Sequence, residues 1–391
     1  MSTLLQYGDP VAAGVDAVRL GRARQVAAGC VTEEVTPALV VLAARRGVVF
    51  LHEAFGRLMP EAGSPVVRAD TIYPVASISK PVTATAVLCL VEDGLLELDR
   101  SVQKYIAEFT GDGKEAVTVR HLLTHTSGLR DEAVYAHVGR KREAGPNPPD
   151  ERTEPASLTL FPPYVMYWHF ESGLDTPLSG GTGHEVVYSS YGYALLGEII
   201  QRVSGRSFAD FCRERIFARL GMRDSYFEVP EVEWPRVVRR PTRFGLLHLN
   251  VRERIPVAMP QGGLSSTAWD LAVFGQAFLN SGSYGGVRML TPASVAQMTR
   301  DQVPGVPPQR QGEPLAKASH GLGWFLNLPG EVYPFPSQLS DEAFGHGGSG
   351  GSLLCVDPAR ELVVVWLSVW PDMSTTSQYG FVDALVESVV D

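Results

Sequence analysis

The chain has 391 residues, 45% hydrophobic and 20% charged, which excludes a disordered or fibrous protein and allows one large domain or two intimate ones. Its formal charge of −9 disfavours a nucleic-acid partner, because phosphate binding needs a clustered basic face. No apolar run approaches the roughly 20 residues of a membrane span, and the N-terminus lacks a basic segment followed by an apolar core, so a soluble, cytoplasmic protein with no membrane partner is expected.

In chain order, Val11, Val15, Val18, Leu20 and Val26 have helical spacing and predict a first helix over 11–29. Pro37 to Ala44 and Val48 to Gly56 read as a strand hairpin turning at Arg45-Arg46-Gly47. The stretch Ser77-Ile78-Ser79-Lys80-Pro81 follows, leading into an apolar helix over 82–93 that Gly94 ends. On a helix, Ser77 and Lys80 share one face, and a helix start offers free N–H groups to a nucleophile. A helix with a polar, glycine-closed end is predicted over 117–129.

Residues 140–183 are rich in proline, glycine and charge and read as a long surface excursion that could cover a pocket. Its aromatics Tyr164, Tyr167, Trp168 and Phe170 fit either a pocket wall or a satellite cluster. Residues 188–220 show strong helical periodicity broken at Gly205, and Ser266 or Thr267 is placed to cap a helix after Gly262-Gly263-Leu264. Strands over 321–328, 352–356 and 361–369 and a helix over 381–390 close the chain. Strands at both ends with helices between imply one α/β unit from 1–85 and 260–391, and a mainly helical unit over 86–259.

Cys30, Cys89, Cys212 and Cys355 are far apart, form no CxxC and are expected to be buried free thiols in a reducing compartment. Arg236, Arg239, Arg240 and Arg243 are read as a solvated face.

Three phrases stand in order: Ser77-Ile78-Ser79-Lys80, Tyr188-Ser189-Ser190 and His346-Gly347-Gly348. With Leu122-Leu123-Thr124-His125-Thr126-Ser127-Gly128-Leu129, Gly192-Tyr193-Ala194-Leu195-Leu196-Gly197, Gly262-Gly263-Leu264-Ser265-Ser266-Thr267 and Gly321-Leu322-Gly323-Trp324, they make the chain, over roughly 36–369, resemble the serine β-lactamase and penicillin-binding-protein superfamily. The nearest branch resembles class C β-lactamases and family VIII carboxylesterases. The resemblance implies an α+β, β-lactamase/transpeptidase-like fold, an antiparallel sheet flanked by helices with an inserted mainly helical region. It also implies Ser77 as nucleophile and an oxyanion hole from the N–H groups of Ser77 and Ser349.

A serine hydroxyl needs a base within hydrogen-bond reach. Lys80 serves if burial keeps it neutral; alternatively it stays charged and stabilises a phenolate at Tyr188, which takes the proton. Tyr188 is also placed to protonate the leaving group. Two departures from the family pattern bear on substrate. Ser190 replaces the asparagine of the usual Tyr-x-Asn phrase, and His346 begins the phrase that usually reads Lys-Thr-Gly. A fixed positive charge that would recognise a β-lactam carboxylate is lost, or becomes dependent on pH. Ser190, His346, Gly347 and Gly348 are therefore expected to shape the substrate pocket.

Two patterns are decoys. Gly347-Gly348-Ser349-Gly350-Gly351 fits G-x-S-x-G but precedes an apolar strand where a nucleophile elbow needs a helix. His121 and His125 have zinc-helix spacing without a glutamate base and are read as structural. The expected activity is ester hydrolysis through an acyl-serine on a small-molecule substrate, with weak or no β-lactamase activity and no metal or cofactor. The alternatives are an acyltransferase, amidase or peptidase using the same acyl-enzyme, and a non-catalytic binding module.

Overall fold

The computed structural model describes residues 3–32, 35–59, 61, 63–144, 170–171, 173–241, 250, 258–310, 313–314, 319–327, 335–369 and 376–390. Tyr164, Tyr167, Trp168, Arg243 and most of the 140–183 segment lie outside these residues.

Strands β1 (Gln6–Tyr7), β2 (Ala38–Arg45), β3 (Val48–Gly56), β4 (Phe325–Leu326), β5 (Phe344–Gly348), β6 (Ser352–Asp357) and β7 (Leu362–Ser368) form one sheet in the order β1-β3-β2-β7-β6-β5-β4. All pairs are antiparallel except β1 with β3. The central strands β2, β6 and β7 are buried at every position and apolar except at their ends, at Arg45, Ser352, Asp357 and Ser368, because both faces are covered. Val40, Leu42, Val363, Val365, Leu354 and Val356 belong to the core on one face; Leu39, Val41, Val364, Trp366, Leu353 and Cys355 belong to the core on the other. The second face is covered by α1 (Ala17–Thr32), which packs on the C-terminal helix Thr376–Glu387. The first face meets the helix Ala268–Leu279, capped by Thr267, one of the two residues its sequence offers for the cap.

The helix α2 (Ser79–Glu92) is buried from Ser79 through Leu90. A helix apolar on all sides belongs inside a core, and α2 packs against the helix Ser190–Ser204 and the segment from Phe208 to Phe217. Its N-terminal end therefore stands where the sheet meets the helical layer, beside β5.

Several elements depart from expectation. The first helix starts only at Ala17, after a 3₁₀ turn Pro10–Ala13 that the left-handed Gly14 ends. The expected helix over 117–129 is cut to α3 (Val119–Leu123) because His125 turns left-handed, with φ 60°. The expected strand from Gly321 shrinks to β4. The helix α4 (Asp131–Ala144) was not anticipated; its periodicity is poor and its first turn carries Asp131 and Glu132. Arg236 and Arg240 are not a solvated face: Arg236 pairs with Asp224 at 2.8 Å and Glu233 at 2.7 Å, and Arg240 is buried and donates to the Gly350 carbonyl at 3.1 Å. All four cysteines are buried free thiols. Among the described residues, no helix is long and apolar enough to cross a membrane.

Candidate active site

The short strand Tyr73–Pro74 pairs with Ser265–Ser266, and the Val75 N–H donates to the Leu264 carbonyl at 2.9 Å. Ala76 then adopts φ 46°, a left-handed conformation that is strained for alanine. The buried Ser79 hydroxyl fixes this kink by donating to the Ala76 carbonyl at 2.6 Å and accepting from the Leu264 N–H at 2.9 Å. The result is a 3₁₀ turn, Ala76–Ile78, that leads directly into α2 and leaves Ser77 half-buried at the helix entrance.

Lys80, one turn on, is fully buried. Its Nζ lies 3.1 Å from Ser77 Oγ and donates to the Gln261 carbonyl at 2.8 Å. It also sits 4.6 Å from the centre of the Tyr188 ring and 5.6 Å from that of Tyr193. Burial lowers the Lys80 pKa to about 7, against the pull of Asp131, which favours the charged form. A substantial neutral fraction is thus present near neutral pH. The loop carrying Gln261 is anchored to the same helix by the Thr83 hydroxyl, which donates to the Pro260 carbonyl at 2.7 Å.

Tyr188 lies between the strand Val186–Val187 and the helix α5 (Ser190–Ser204). Asp131, the first residue of α4, caps α5: it accepts from Ser189 Oγ at 2.9 Å, from the Ser190 N–H at 2.8 Å and from the Tyr191 N–H at 3.0 Å. The Tyr188 ring stacks on His125 at 4.5 Å and on Phe325 at 6.2 Å. His125 Nδ1 accepts from the Ser189 N–H at 3.0 Å. His121 faces elsewhere and closes a capping box with Thr118. The two histidines thus share no site, and among the described residues no group of three or more His, Cys, Asp or Glu side chains is arranged to hold a metal ion.

β5 supplies the third wall. His346 is 3% exposed, packs on Phe325 at 4.5 Å and lies 6.3 Å from Tyr188. Its Nδ1 is 2.6 Å from the Gly347 carbonyl, so Nδ1 carries the proton. Burial, reinforced by Lys80, holds His346 well below its ordinary pKa, so it is neutral. Gly348 lies against Val75, which brings the end of β5 alongside the Ser77 turn. Ser349 follows in a turn that leads into β6 and not into a helix, so the G-x-S-x-G phrase lacks the setting of a nucleophile elbow.

The structure therefore joins Ser77, Lys80, Tyr188 and His346 through a continuous chain of contacts. Ser190 enters through its backbone N–H on Asp131. Sequence reasoning missed Gln261, Asp131, Phe325 and the contact of His125 with this site. Gln261 and His125 each stood inside or beside a family-like phrase, whereas Asp131 carried no signal beyond an acidic helix start.

Comparison with known proteins bears on the fold and the family. A curated relative from Salmonella agona (strain SL483), named "Putative D-alanyl-D-alanine carboxypeptidase", is 27% identical over 370 residues, covering 86% of this chain and 79% of that protein. Among solved structures, EstCE1, described as a hydrolase with promiscuous acyltransferase activity, superposes with a TM-score of 0.73 at 22% identity, covering 96% of this chain and all (100%) of that one. A family VIII carboxylesterase gives 0.72 at 22% identity, with 96% and 99% covered. These neighbours share the β-lactamase/transpeptidase fold. The Beta-lactamase family model matches residues 23–380, and the chain belongs to that family.

Proposed function

We propose that the protein hydrolyses carboxylic esters through an acyl-Ser77 intermediate. The carrying observation is the buried Lys80 amine, 3.1 Å from Ser77 Oγ with its pKa brought down to about 7. A neutral amine can donate one N–H to the Gln261 carbonyl while its lone pair takes the Ser77 proton. Ser77 Oγ then bonds to the substrate carbonyl carbon. The resulting oxyanion is received by the N–H groups of Ser77 and Ser349. The bond to the leaving alcohol breaks as that oxygen takes the proton held by Lys80, either directly or through Tyr188, which gives its own proton and is reprotonated by Lys80. Water attacks the acyl-serine by the reverse route, releasing the acid and returning the proton to Ser77.

The neutral His346 supports an uncharged ester over a β-lactam carboxylate, because the residue that begins this phrase carries no fixed charge. The experiment is a panel of p-nitrophenyl acetate, p-nitrophenyl butyrate and a chromogenic cephalosporin, run with wild type and Ser77→Ala. Turnover of the esters that disappears in Ser77→Ala is expected, with the cephalosporin slow. Absence of Ser77-dependent ester turnover overturns the proposal. Formation of a new ester or amide on adding an alcohol or amine would instead favour acyl transfer, and efficient cleavage of a D-alanyl-D-alanine peptide would favour a peptidase.

A further inference from the structure

We propose that His125 is the positioning residue for Tyr188, acting through its ring nitrogen Nδ1 on the backbone N–H of Ser189. The inference rests on the reading of Tyr188 as a proton-transfer group. His125 grips the chain on both sides of that tyrosine. Its carbonyl accepts from the Val187 N–H at 2.8 Å, and its Nδ1 accepts from the Ser189 N–H at 3.0 Å. Between these two bonds its ring lies against the Tyr188 ring, with centroids 4.5 Å apart and planes inclined by 30°. Backbone and side chain of one residue thus fix residues 187 to 189 as a unit.

The backbone of His125 is consistent with a role for the ring. Its φ of 60° is left-handed, a region that glycine enters without strain and that other residues adopt uncommonly, histidine and asparagine among the more frequent of them. If only a turn were required, glycine would supply it without strain. The imidazole is 3% exposed, so the turn carries it into the interior. Accepting at Nδ1 requires the proton on Nε2, and burial holds the ring neutral, with Lys80, His320 and His346 opposing any positive charge there. Ser189 is held from its other side by Asp131, which accepts from its hydroxyl at 2.9 Å. Tyr188 is left with little freedom to move relative to Lys80, and displacement of such a group by about 1 Å can cost about a hundredfold in rate.

The test compares His125→Gly, which removes the acceptor and relieves the backbone, with His125→Asn, whose side-chain oxygen can replace Nδ1 and which tolerates the left-handed turn. With p-nitrophenyl butyrate, His125→Gly is expected to lose about tenfold or more in kcat, with KM within about twofold of wild type. His125→Asn is expected to recover most of that loss. Equal activity of the two variants overturns the inference. A readout that needs neither variant is the ¹⁵N spectrum of the wild-type protein labelled in histidine. The Nε2–H tautomer is expected for His125, and the Nδ1–H tautomer overturns the inference. Failure of wild type to turn over any ester in a Ser77-dependent way would instead overturn the reading of the site, and the tautomer experiment still decides the clamp.

Discussion

Gly348 lies so close to Val75 that a Cβ added to it would stand 2.2 Å from the Val75 carbonyl oxygen. Any side chain there must push β5 away from the turn that carries Ser77. The contact explains why the strand end beside the proposed oxyanion site needs glycine, on close approach and not on backbone dihedral. Gly348→Ala is expected to destabilise the fold by about 1–3 kcal/mol and to lower kcat/KM by about tenfold or more. Thermal unfolding and ester hydrolysis measured on the same preparation check both. A variant with wild-type kcat/KM would show that β5 does not set the geometry at Ser77.

Ser349 and Ser77 are separated by a substitution that keeps the backbone. Ser349→Ala retains its N–H and is expected to keep much of the activity, while Ser77→Ala should abolish acylation. Intact-mass analysis after treatment with a fluorophosphonate gives the same discrimination, with one adduct on Ser349→Ala and none on Ser77→Ala. An adduct on Ser77→Ala would move the nucleophile elsewhere.

The pH dependence follows from Lys80. Its pKa is lowered to about 7, and in the proposed mechanism the neutral form is the base. Activity should therefore rise with pH through about 7 and stand about tenfold below its plateau at pH 6. Asp131 opposes the lowering through its charge. Removing that charge in Asp131→Asn should move the midpoint of kcat/KM to lower pH, even if capping losses reduce the plateau. A midpoint that stays fixed or rises would show that Lys80 is not the titrating base.

The same residue burdens the fold. In the unfolded chain Lys80 titrates near its ordinary value of about 10.4, whereas in the folded protein it titrates at about 7. Between these values the unfolded state binds the extra proton, so this group makes stability rise with pH across that window. Below pH 7 the fold carries the full cost of a buried ammonium. Lys80→Met is expected to be inactive yet more stable than wild type by roughly 1–3 kcal/mol at pH 6, a gain that shrinks toward pH 10. Urea denaturation at the two pH values reads this directly. A variant no more stable at pH 6 than at pH 9, relative to wild type, would contradict it.

What the sequence revealed and what it hid divide along physical lines. That Ser77, Lys80, Tyr188 and His346 lie together was legible because each sits in a short family-like phrase, His346 at the position where that phrase usually carries lysine. The sheet was legible because strands covered on both faces are apolar along nearly their whole length, as in β2 up to Ala44 and β7 up to Leu367. The 117–129 helix was overextended because nothing in its local pattern signals a left-handed histidine; only the tertiary contact of His125 with Ser189 accounts for it. Asp131 was missed for a related reason. Its carboxylate caps a helix 59 residues away in sequence, a partnership that periodicity cannot register. Arg240 was misread because charge alone does not show that a guanidinium is carried inward to the Gly350 carbonyl.

His346 decides how substrate preference should behave with pH. Two outcomes were open from sequence: a positive charge simply absent, or one that returns on acidification. The structure favours the first, because the ring is 3% exposed, donates from Nδ1 to the Gly347 carbonyl and is held well below its ordinary pKa by burial. Lowering the pH from 8 to 6 should then depress ester and cephalosporin turnover in parallel, both through Lys80. The ratio of kcat/KM for the anionic cephalosporin to that for neutral p-nitrophenyl butyrate should stay within about twofold over this range. A histidine that became charged would raise the ratio at pH 6, because a cation within reach of a carboxylate improves recognition of the anionic substrate alone. A rise of about tenfold would show that substrate binding or local opening exposes His346 to protonation, and would return the β-lactam carboxylate to the set of groups this wall can select.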